Sequence, residues 1–328
     1  MALWPTLTLI VLATVMPELF SGSTPPIGFL NPILLLFLTL GYGAAVLLIR
    51  ELTVRWRSGL LASFFIGLSY SVFNEGLLAK TLILQQNLPL QQYDHYGYYG
   101  GISFPWAAGI GAWHACASVI FPIAFTHCIF PQDRERPWLK ARTALVSTTI
   151  LLVLACAIFL GTSDKGVKGT PRQLAWILGL MLAGFVIARM LKPNPLAQVA
   201  ASSRCLPLLL GFSVLIPFWG LAAIASARLA PGLYFAGLLA AVSLYGWILR
   251  SRQWITPPAF LFFALGWYLH NAFQSLLLIG WAMKNPGRAL VTAVLDAAIL
   301  LFLFRRSQAT RLFPNAGNNK SSPRAQVS

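Results

Sequence analysis

The sequence is poor in charged residues, and acidic residues are especially scarce. Of its 328 residues only 10% are charged, with 8 Asp and Glu against 24 Lys and Arg, while 57% are hydrophobic. An ordinary soluble domain is about one-quarter charged, so this composition excludes a soluble globular fold. The apolar runs extend over roughly 18–24 residues without the alternation of a barrel strand. The sequence therefore predicts an all-α fold, a polytopic bundle of transmembrane helices.

Cysteine is also scarce, and the common cofactor motifs are missing. The four cysteines form no CxxC pair, which argues against a structural disulfide or a thiolate metal site. The chain contains no P-loop, dinucleotide-binding GxGxxG or zinc-binding HExxH pattern. The sequence does not indicate which cofactor, if any, is used, and a metal bound by other side chains stays open.

The hydrophobic runs predict about ten spans in a single transmembrane domain, residues 1–306. A polar, basic tail follows at residues 307–328 and is predicted to be disordered and cytoplasmic. Pro, Gly and charged residues separate the runs. The predicted spans are Trp4–Phe20, Ile27–Ile49, Gly59–Leu84, Trp106–Phe130, Thr143–Gly161, Leu174–Leu191, Leu206–Ala225, Pro231–Leu249, Ala259–Met283 and Ala289–Phe304.

The basic residues alternate between connections rather than forming one patch. Most of the 24 lysines and arginines follow the even-numbered spans, which by the positive-inside rule places these connections and both termini in the cytoplasm. This pattern predicts a plasma (inner) membrane protein whose partner is the lipid bilayer, and it argues against a nucleic-acid partner. An alternative for Met1–Phe20 is a cleaved signal sequence, although its n-region carries no Lys or Arg.

Four ionisable residues lie deep in the predicted spans, where charge is costly. A rise of 1.5 Å per residue puts each of them roughly 12–18 Å from a membrane face, near the middle of the layer. We therefore expect them to share one polar cavity. They are Glu75, His114, His270 and Asp296.

Polar neighbours at helical spacing accompany three of these residues. Asn74 adjoins Glu75, Ser118 lies one turn after His114, and Asn271 and Gln274 accompany His270. A buried Glu beside a His can act as a general base on water, with a second His stabilising the oxyanion. The pattern predicts a catalytic set of Glu75, His114 and His270. The supporting residues are Asn74, Ser118, Asn271, Gln274 and Asp296.

Other interpretations fit the same residues. A single polar residue in a span often serves only to hold helices together, and this is our expectation for Asp296 unless it partners a His. Ten spans with polar residues at mid-depth also suit a transporter or channel, and a non-catalytic scaffold is a third reading. The loop Tyr93–Tyr99 could bind a ligand or a metal, but tyrosines at this position are more typical of an interfacial aromatic belt.

Two resemblances bear on function. The segment Gly67–Lys80, with Glu75 inside it, resembles the first motif of the CAAX-protease and bacteriocin-processing (Abi) intramembrane peptidases. His114 would match the second motif of that family and His270 with Gln274 the third, which implies a peptidase acting on a peptide or a prenylated or transmembrane substrate. The match departs from the family at Asn74, Ala79 and Ile110.

The second resemblance covers roughly the first 140 residues. Gly41-Tyr42-Gly43, Arg50-Glu51-Leu52 and Asn74-Glu75-Gly76 are similar to segments of a group of uncharacterised multi-pass proteins of bacteria and archaea. Those proteins carry Glu-Glu-Gly where this chain has Asn-Glu-Gly. This resemblance implies a multi-pass membrane protein and no particular activity.

Overall fold

A computed structural model describes residues 2–86, 88–161, 167–191, 205–251, 257–282 and 284–309. Within these ranges the regular secondary structure is helical except for a small antiparallel hairpin, β1 (Tyr98–Tyr99) and β2 (Ile102–Ser103). The α-helices are α1 (Leu3–Phe20), α2 (Pro32–Leu38), α3 (Ala45–Arg55), α4 (Leu60–Phe73), α5 (Phe104–Trp113), α6 (Phe121–Ile129), α7 (Ala141–Leu160), α8 (Pro171–Met190), α9 (Cys205–Ser213), α10 (Leu215–Ser226), α11 (Pro231–Ser251), α12 (Pro257–Leu276) and α13 (Pro286–Ala309).

The structure contains most of the long apolar helices that the sequence predicts. Eight helical segments of the described chain are long and apolar enough to cross a bilayer, and each coincides with a predicted span. The fifth and ninth predicted spans fall on α7 and α12, which form as helices but are not among those eight. Met283, the predicted end of the ninth span, lies outside the described residues, as do residues 310–328 of the predicted tail.

Four of the long helices are interrupted by π-helical segments. One such segment, Thr39–Ala44, joins α2 to α3; Asn74–Leu78 ends α4; His114–Ile120 joins α5 to α6; and Leu277–Ala282 follows α12. A π-turn holds one more residue than an α-turn, and such bulges are found frequently at functional sites. The first three segments carry Tyr42, Glu75 and His114, so two of the four residues predicted at mid-depth lie where the helices are locally widened.

Glycines allow the helices that carry these segments to pack at short range. A Cβ at Gly67 of α4 would lie 2.8 Å from the Cα of Ala115, and one at Gly43 would lie 2.8 Å from the Ile10 side chain. Both distances are shorter than side chains tolerate, so only glycine permits these approaches. The first contact holds α4 against the His114 segment, and the second holds α1 against the Tyr42 segment.

A buried ion pair fixes one end of the bundle. Arg50 and Glu51 are fully buried, with Arg50 Nη1 2.7 Å from Glu51 Oε1. Arg50 also donates to the carbonyls of Asp133, Arg134 and Arg136 and stacks on Trp138. Glu51 accepts from the backbone N–H groups of Trp138 and Leu139. The pair therefore holds the loop after α6 in place, and the contacts with this loop satisfy both charges.

Lys80 also holds a neighbouring segment in place, just after the π-segment that ends α4. Its side chain is buried, and Nζ donates to the carbonyls of Gly161 and Val167, 3.1 and 3.0 Å away. The backbone of Lys80 is left-handed (φ 57°), which turns the chain back under the end of the helix. Leu82 N–H consequently reaches the Glu75 carbonyl at 3.1 Å, and Thr81 lies beside the Glu75 side chain.

Candidate functional site

A large cavity lies inside the bundle, between the helices α1–α6 and the helices α10–α12. Its volume is about 960 Å³, at the upper end of the range for sites that hold small molecules. Along α11 its lining runs from Tyr234 to Arg250, and along α5 and the π-segment after it from Trp106 to Phe121. At 1.5 Å per residue these stretches extend over roughly 24 and 22 Å, most of the thickness of the hydrocarbon layer.

Two of the predicted catalytic residues meet on the wall of this cavity. Glu75 Oε1 lies 2.9 Å from His114 Nε2, and the residues are 7% and 2% exposed. His114 Nδ1 lies 2.7 Å from the hydroxyl of Ser118, one turn further along the same helix. A neutral imidazole that donates from Nε2 to the carboxylate accepts at Nδ1 from the serine, so Ser118 orients the ring.

Additional donors surround the Glu75 carboxylate. Asn74 Nδ2 donates to Oε1 at 3.3 Å, and the Thr81 hydroxyl donates to Oε2. Trp106 Nε1 holds Thr81 in turn, at 2.9 Å from its hydroxyl oxygen. A buried carboxylate with several donors is stabilised where a bare one would be costly, so Glu75 is built into the bundle as a polar centre.

Tyr42 extends this network toward α1. Its hydroxyl accepts from Asn74 Nδ2 at 3.4 Å and interacts with the carboxylate of Glu18, which also accepts from Thr24 at 2.6 Å. The rings of Tyr42 and Tyr70 pack against His114 with centroids 5.9 and 6.0 Å away. Glu18, Tyr42 and Asn74 all line the cavity with the dyad.

Sequence reasoning missed Tyr42, Thr81 and Glu18 as members of the site. Thr81 reaches Glu75 only because the left-handed Lys80 reverses the chain, which no periodicity signals. Tyr42 did carry a signal, since it is flanked by Gly41 and Gly43 in a span, an arrangement that permits close approach of a neighbouring helix.

His270 lies on the cavity wall but does not join the dyad. Its Nε2 contacts Gln274 Oε1 at 3.2 Å, as the helical spacing predicted, and its ring packs between Phe212 and Phe218. Asn271 accepts instead from Trp113 Nε1 at 3.0 Å, which links α12 to the helix that bears His114. The cavity therefore contains two polar groups of residues rather than the single cluster of three that we expected.

Asp296 does not line the cavity. It is 1% exposed on the face of α13 that packs into the bundle, and neither carboxylate oxygen has a hydrogen-bond partner among the described residues. The expected partnership with a histidine is not formed there. Thr292, one turn earlier, also has a buried hydroxyl without a partner in this part of the chain.

The tyrosine-rich loop lies at the end of the cavity opposite Arg250. Tyr93 and Tyr96 are buried, and the hydroxyls of Tyr93 and Tyr234 lie 3.2 Å apart beside Trp106. Burial raises the pKa of Tyr98 to about 12, and burial also raises the pKa of Tyr93. These phenols stay neutral at physiological pH, and Tyr93 lines this end of the cavity together with Tyr234.

The donor set determines which chemistry the dyad could support. In the described residues no three His, Cys, Asp or Glu side chains lie close enough together to hold a metal ion. A carboxylate hydrogen-bonded to an imidazole can exchange a proton with a bound molecule or with water. The cavity gives such a molecule access to both groups within the bilayer.

Comparison with known proteins gives a family and no activity. A family model described as "Uncharacterized membrane protein family" matches residues 7–301, which extends well beyond the first 140 residues in which we noted such a resemblance. No curated protein and no solved structure matches the chain. The comparisons provide no support for the similarity to CAAX and Abi peptidases.

Proposed function

The chain belongs to this family of membrane proteins, and for this integral, multi-pass member we propose an intramembrane hydrolase with Glu75 as its general base. One observation carries the proposal: a buried, hydrogen-bonded Glu75–His114 dyad faces a cavity of about 960 Å³ within the membrane-spanning helices. Ionisable groups at this depth are costly and are typically retained for function.

In the proposed reaction a water molecule enters the cavity and donates a hydrogen bond to Glu75. Glu75 takes the proton while the water oxygen attacks a carbonyl carbon of the substrate, and the proton then passes to the leaving group. His114, held by Ser118, fixes the carboxylate and stabilises its charged form. The Asn74 amide and the Tyr42 hydroxyl, both on the wall, are our candidate donors to the developing oxyanion, for which they would exchange one of their present partners.

The substrate classes we propose are a peptide and a prenylated or transmembrane substrate, since the cavity is open to apolar molecules. His270 is left outside the reacting group, because Gln274 and two phenylalanines hold it on the α12 wall. Asn271 and Gln274 would contact the substrate from that side.

The experiment is product analysis in membranes. Wild type, Glu75→Gln and His114→Ala, expressed at equal levels, are incubated with a library of lipid-modified and transmembrane peptides, and the products are identified by mass spectrometry. Glu135→Gln and His95→Ala are matched controls, because both residues are exposed and lie outside the cavity. Cleavage that both site variants abolish and both controls retain supports the proposal; cleavage that survives both site changes rejects it.

Transport is the second candidate, and the length of the cavity favours it. The lining includes Ser23 and Tyr93 near one end of the spans and Gly59 and Arg250 near the other. A solute could therefore meet the dyad from either side in different conformations. Uptake into vesicles that depends on Glu75, without any cleaved product, would favour this candidate over hydrolysis.

For the topology we propose ten spans with both termini in the cytoplasm of a plasma (inner) membrane. The charge bias between alternate connections supports this orientation. Single cysteines introduced at Ser23 and at Gln132 test it by labelling with a membrane-impermeant reagent in intact cells. Labelling at Ser23 alone is the expected result, and labelling at Gln132 alone would reverse the orientation.

A further inference from the structure

The charged residues that line the cavity are distributed unequally along it. Glu18 and Glu75 are the lining carboxylates, and Arg250, at the end of α11, is the one lysine or arginine among the lining residues that the structure describes. Arg250 is exposed, so its guanidinium is accessible at that mouth. One mouth of the cavity is thus positive, and its interior is negative.

The depth of these groups can be estimated from the helices that bear them. Trp106 and Tyr234 are at one level, because both rings pack around Tyr93. His114 lies eight residues below Trp106, and Arg250 lies sixteen residues below Tyr234, roughly 12 and 24 Å respectively. The dyad and the arginine are therefore separated by roughly 12 Å along the bundle axis.

Between these groups the wall of α11 is apolar. Leu238, Ala241, Val242 and Leu249 face the cavity along this helix, with only Tyr245 adding a polar atom. Hydrocarbon is accommodated by such a wall, while an anionic group placed next to Glu75 in this low-dielectric interior would be repelled strongly. The arrangement suits a molecule with one anionic end and a long apolar body.

We propose that the cavity binds an anionic membrane lipid with its headgroup at Arg250 and its hydrocarbon chains directed toward the Glu75–His114 dyad. The lipid enters from the leaflet at that mouth, which in the proposed orientation is the cytoplasmic one, where anionic lipids are enriched. This inference rests on the proposed function only in treating the cavity as the substrate site.

Arg189 supplies a matched control for this site. It lies in the last turn of α8, and its guanidinium stacks near Trp56 instead of lining the cavity. Like Arg250 it is exposed at a helix end. Replacing either residue removes the same charge, but only the loss of Arg250 changes the cavity mouth.

The test measures lipid binding rather than turnover. Purified protein in phosphatidylcholine nanodiscs is titrated with phosphatidylglycerol carrying brominated chains, and quenching of tryptophan fluorescence reports entry, since Trp106, Trp113 and Trp267 line the cavity. We expect Arg250→Gln to weaken binding about fivefold, because one basic residue contributes about 1 kcal/mol to anionic lipid binding. Arg189→Gln should bind as wild type does.

Two further measurements test whether the lipid occupies the cavity and whether its chains are needed for binding. Ala241→Trp fills the cavity beside the α11 wall without a change of charge and should also reduce quenching. Glycerol phosphate shares the headgroup but lacks chains, and it should not compete. Equal binding by wild type and Arg250→Gln, an equal loss in Arg189→Gln, or competition by glycerol phosphate would each overturn the proposal. Because the assay measures binding without turnover, a failure of hydrolysis does not affect how this result is interpreted.

Discussion

Glu75 and Asp296 are both carboxylates buried within long apolar helical segments, yet their surroundings differ completely. Glu75 accepts hydrogen bonds from Asn74 and Thr81, contacts His114 and faces the large cavity. Asp296 has no hydrogen-bond partner in the described chain and lies outside the cavity lining. Depth alone therefore does not distinguish the two carboxylates; the donors around Glu75 and its position on the cavity wall do.

The same contrast separates the two histidines of the predicted site. His114 is hydrogen-bonded at both ring nitrogens, to Glu75 and to Ser118. His270 contacts Gln274 through Nε2, while its buried Nδ1 has no partner among the described residues. A ring that is fixed at both nitrogens keeps one tautomer and one orientation, which is what proton transfer requires.

The largest expected difference in activity is between variants of the two histidines. We expect His114→Ala to lower the rate of product formation by about 10²–10⁴-fold, the range for loss of an acid–base partner. His270→Ala should retain activity within about tenfold, because its ring is not in the dyad. Rates in membranes at matched expression measure both. A larger loss in His270→Ala than in His114→Ala would reverse our assignment.

A stability measurement tests whether a buried carboxylate with hydrogen-bond partners contributes more to folding stability than one without them. Glu51→Gln removes one member of a buried, fully hydrogen-bonded ion pair and should destabilise the protein by about 3–5 kcal/mol. Asp296→Asn removes no observed hydrogen bond, so the free energy of unfolding should change by less than about 1 kcal/mol. Thermal unfolding in detergent compares the two variants. Equal losses would show that Asp296 has a partner of comparable strength.

A smaller effect is expected from separating the helices that hold the dyad. In Gly67→Ala the new methyl group meets Ala115, which should cost about 1–3 kcal/mol and lengthen the Glu75–His114 contact. Gly179→Ala in α8 is the control, since nothing lies within 4 Å of a Cβ there. Reduced activity in Gly67→Ala alone is the expected result. Equal activity of the two variants would mean that this close approach does not position the site.

Much of the fold followed from the sequence because membrane insertion imposes a simple rule. Long apolar runs must form helices, so eight candidate spans coincide with predicted ones. The i, i+4 pairs His114–Ser118 and His270–Gln274 formed as expected, since helical spacing alone brings them together. The contact between Glu75 and His114 agrees with their predicted similar depth.

The rest of the site depends on contacts that a single sequence does not encode locally. The π-segments change which side chains face inward, and no apolar periodicity marks Asn74–Leu78 or His114–Ile120. Thr81 reaches Glu75 because Lys80 is left-handed, and Tyr42 reaches Asn74 from a separate helix. Similar depth also failed as a criterion for Asp296, because depth does not specify which face of α13 meets the cavity.

The most direct measurement is a side-by-side assay of Glu75→Gln and Asp296→Asn. Both changes replace a buried carboxylate with its nearly isosteric amide, and products from the peptide library are quantified by mass spectrometry in membranes that contain equal amounts of each protein. Our account predicts that Glu75→Gln yields no product above background and that Asp296→Asn retains the wild-type yield. Full activity of Glu75→Gln would contradict it.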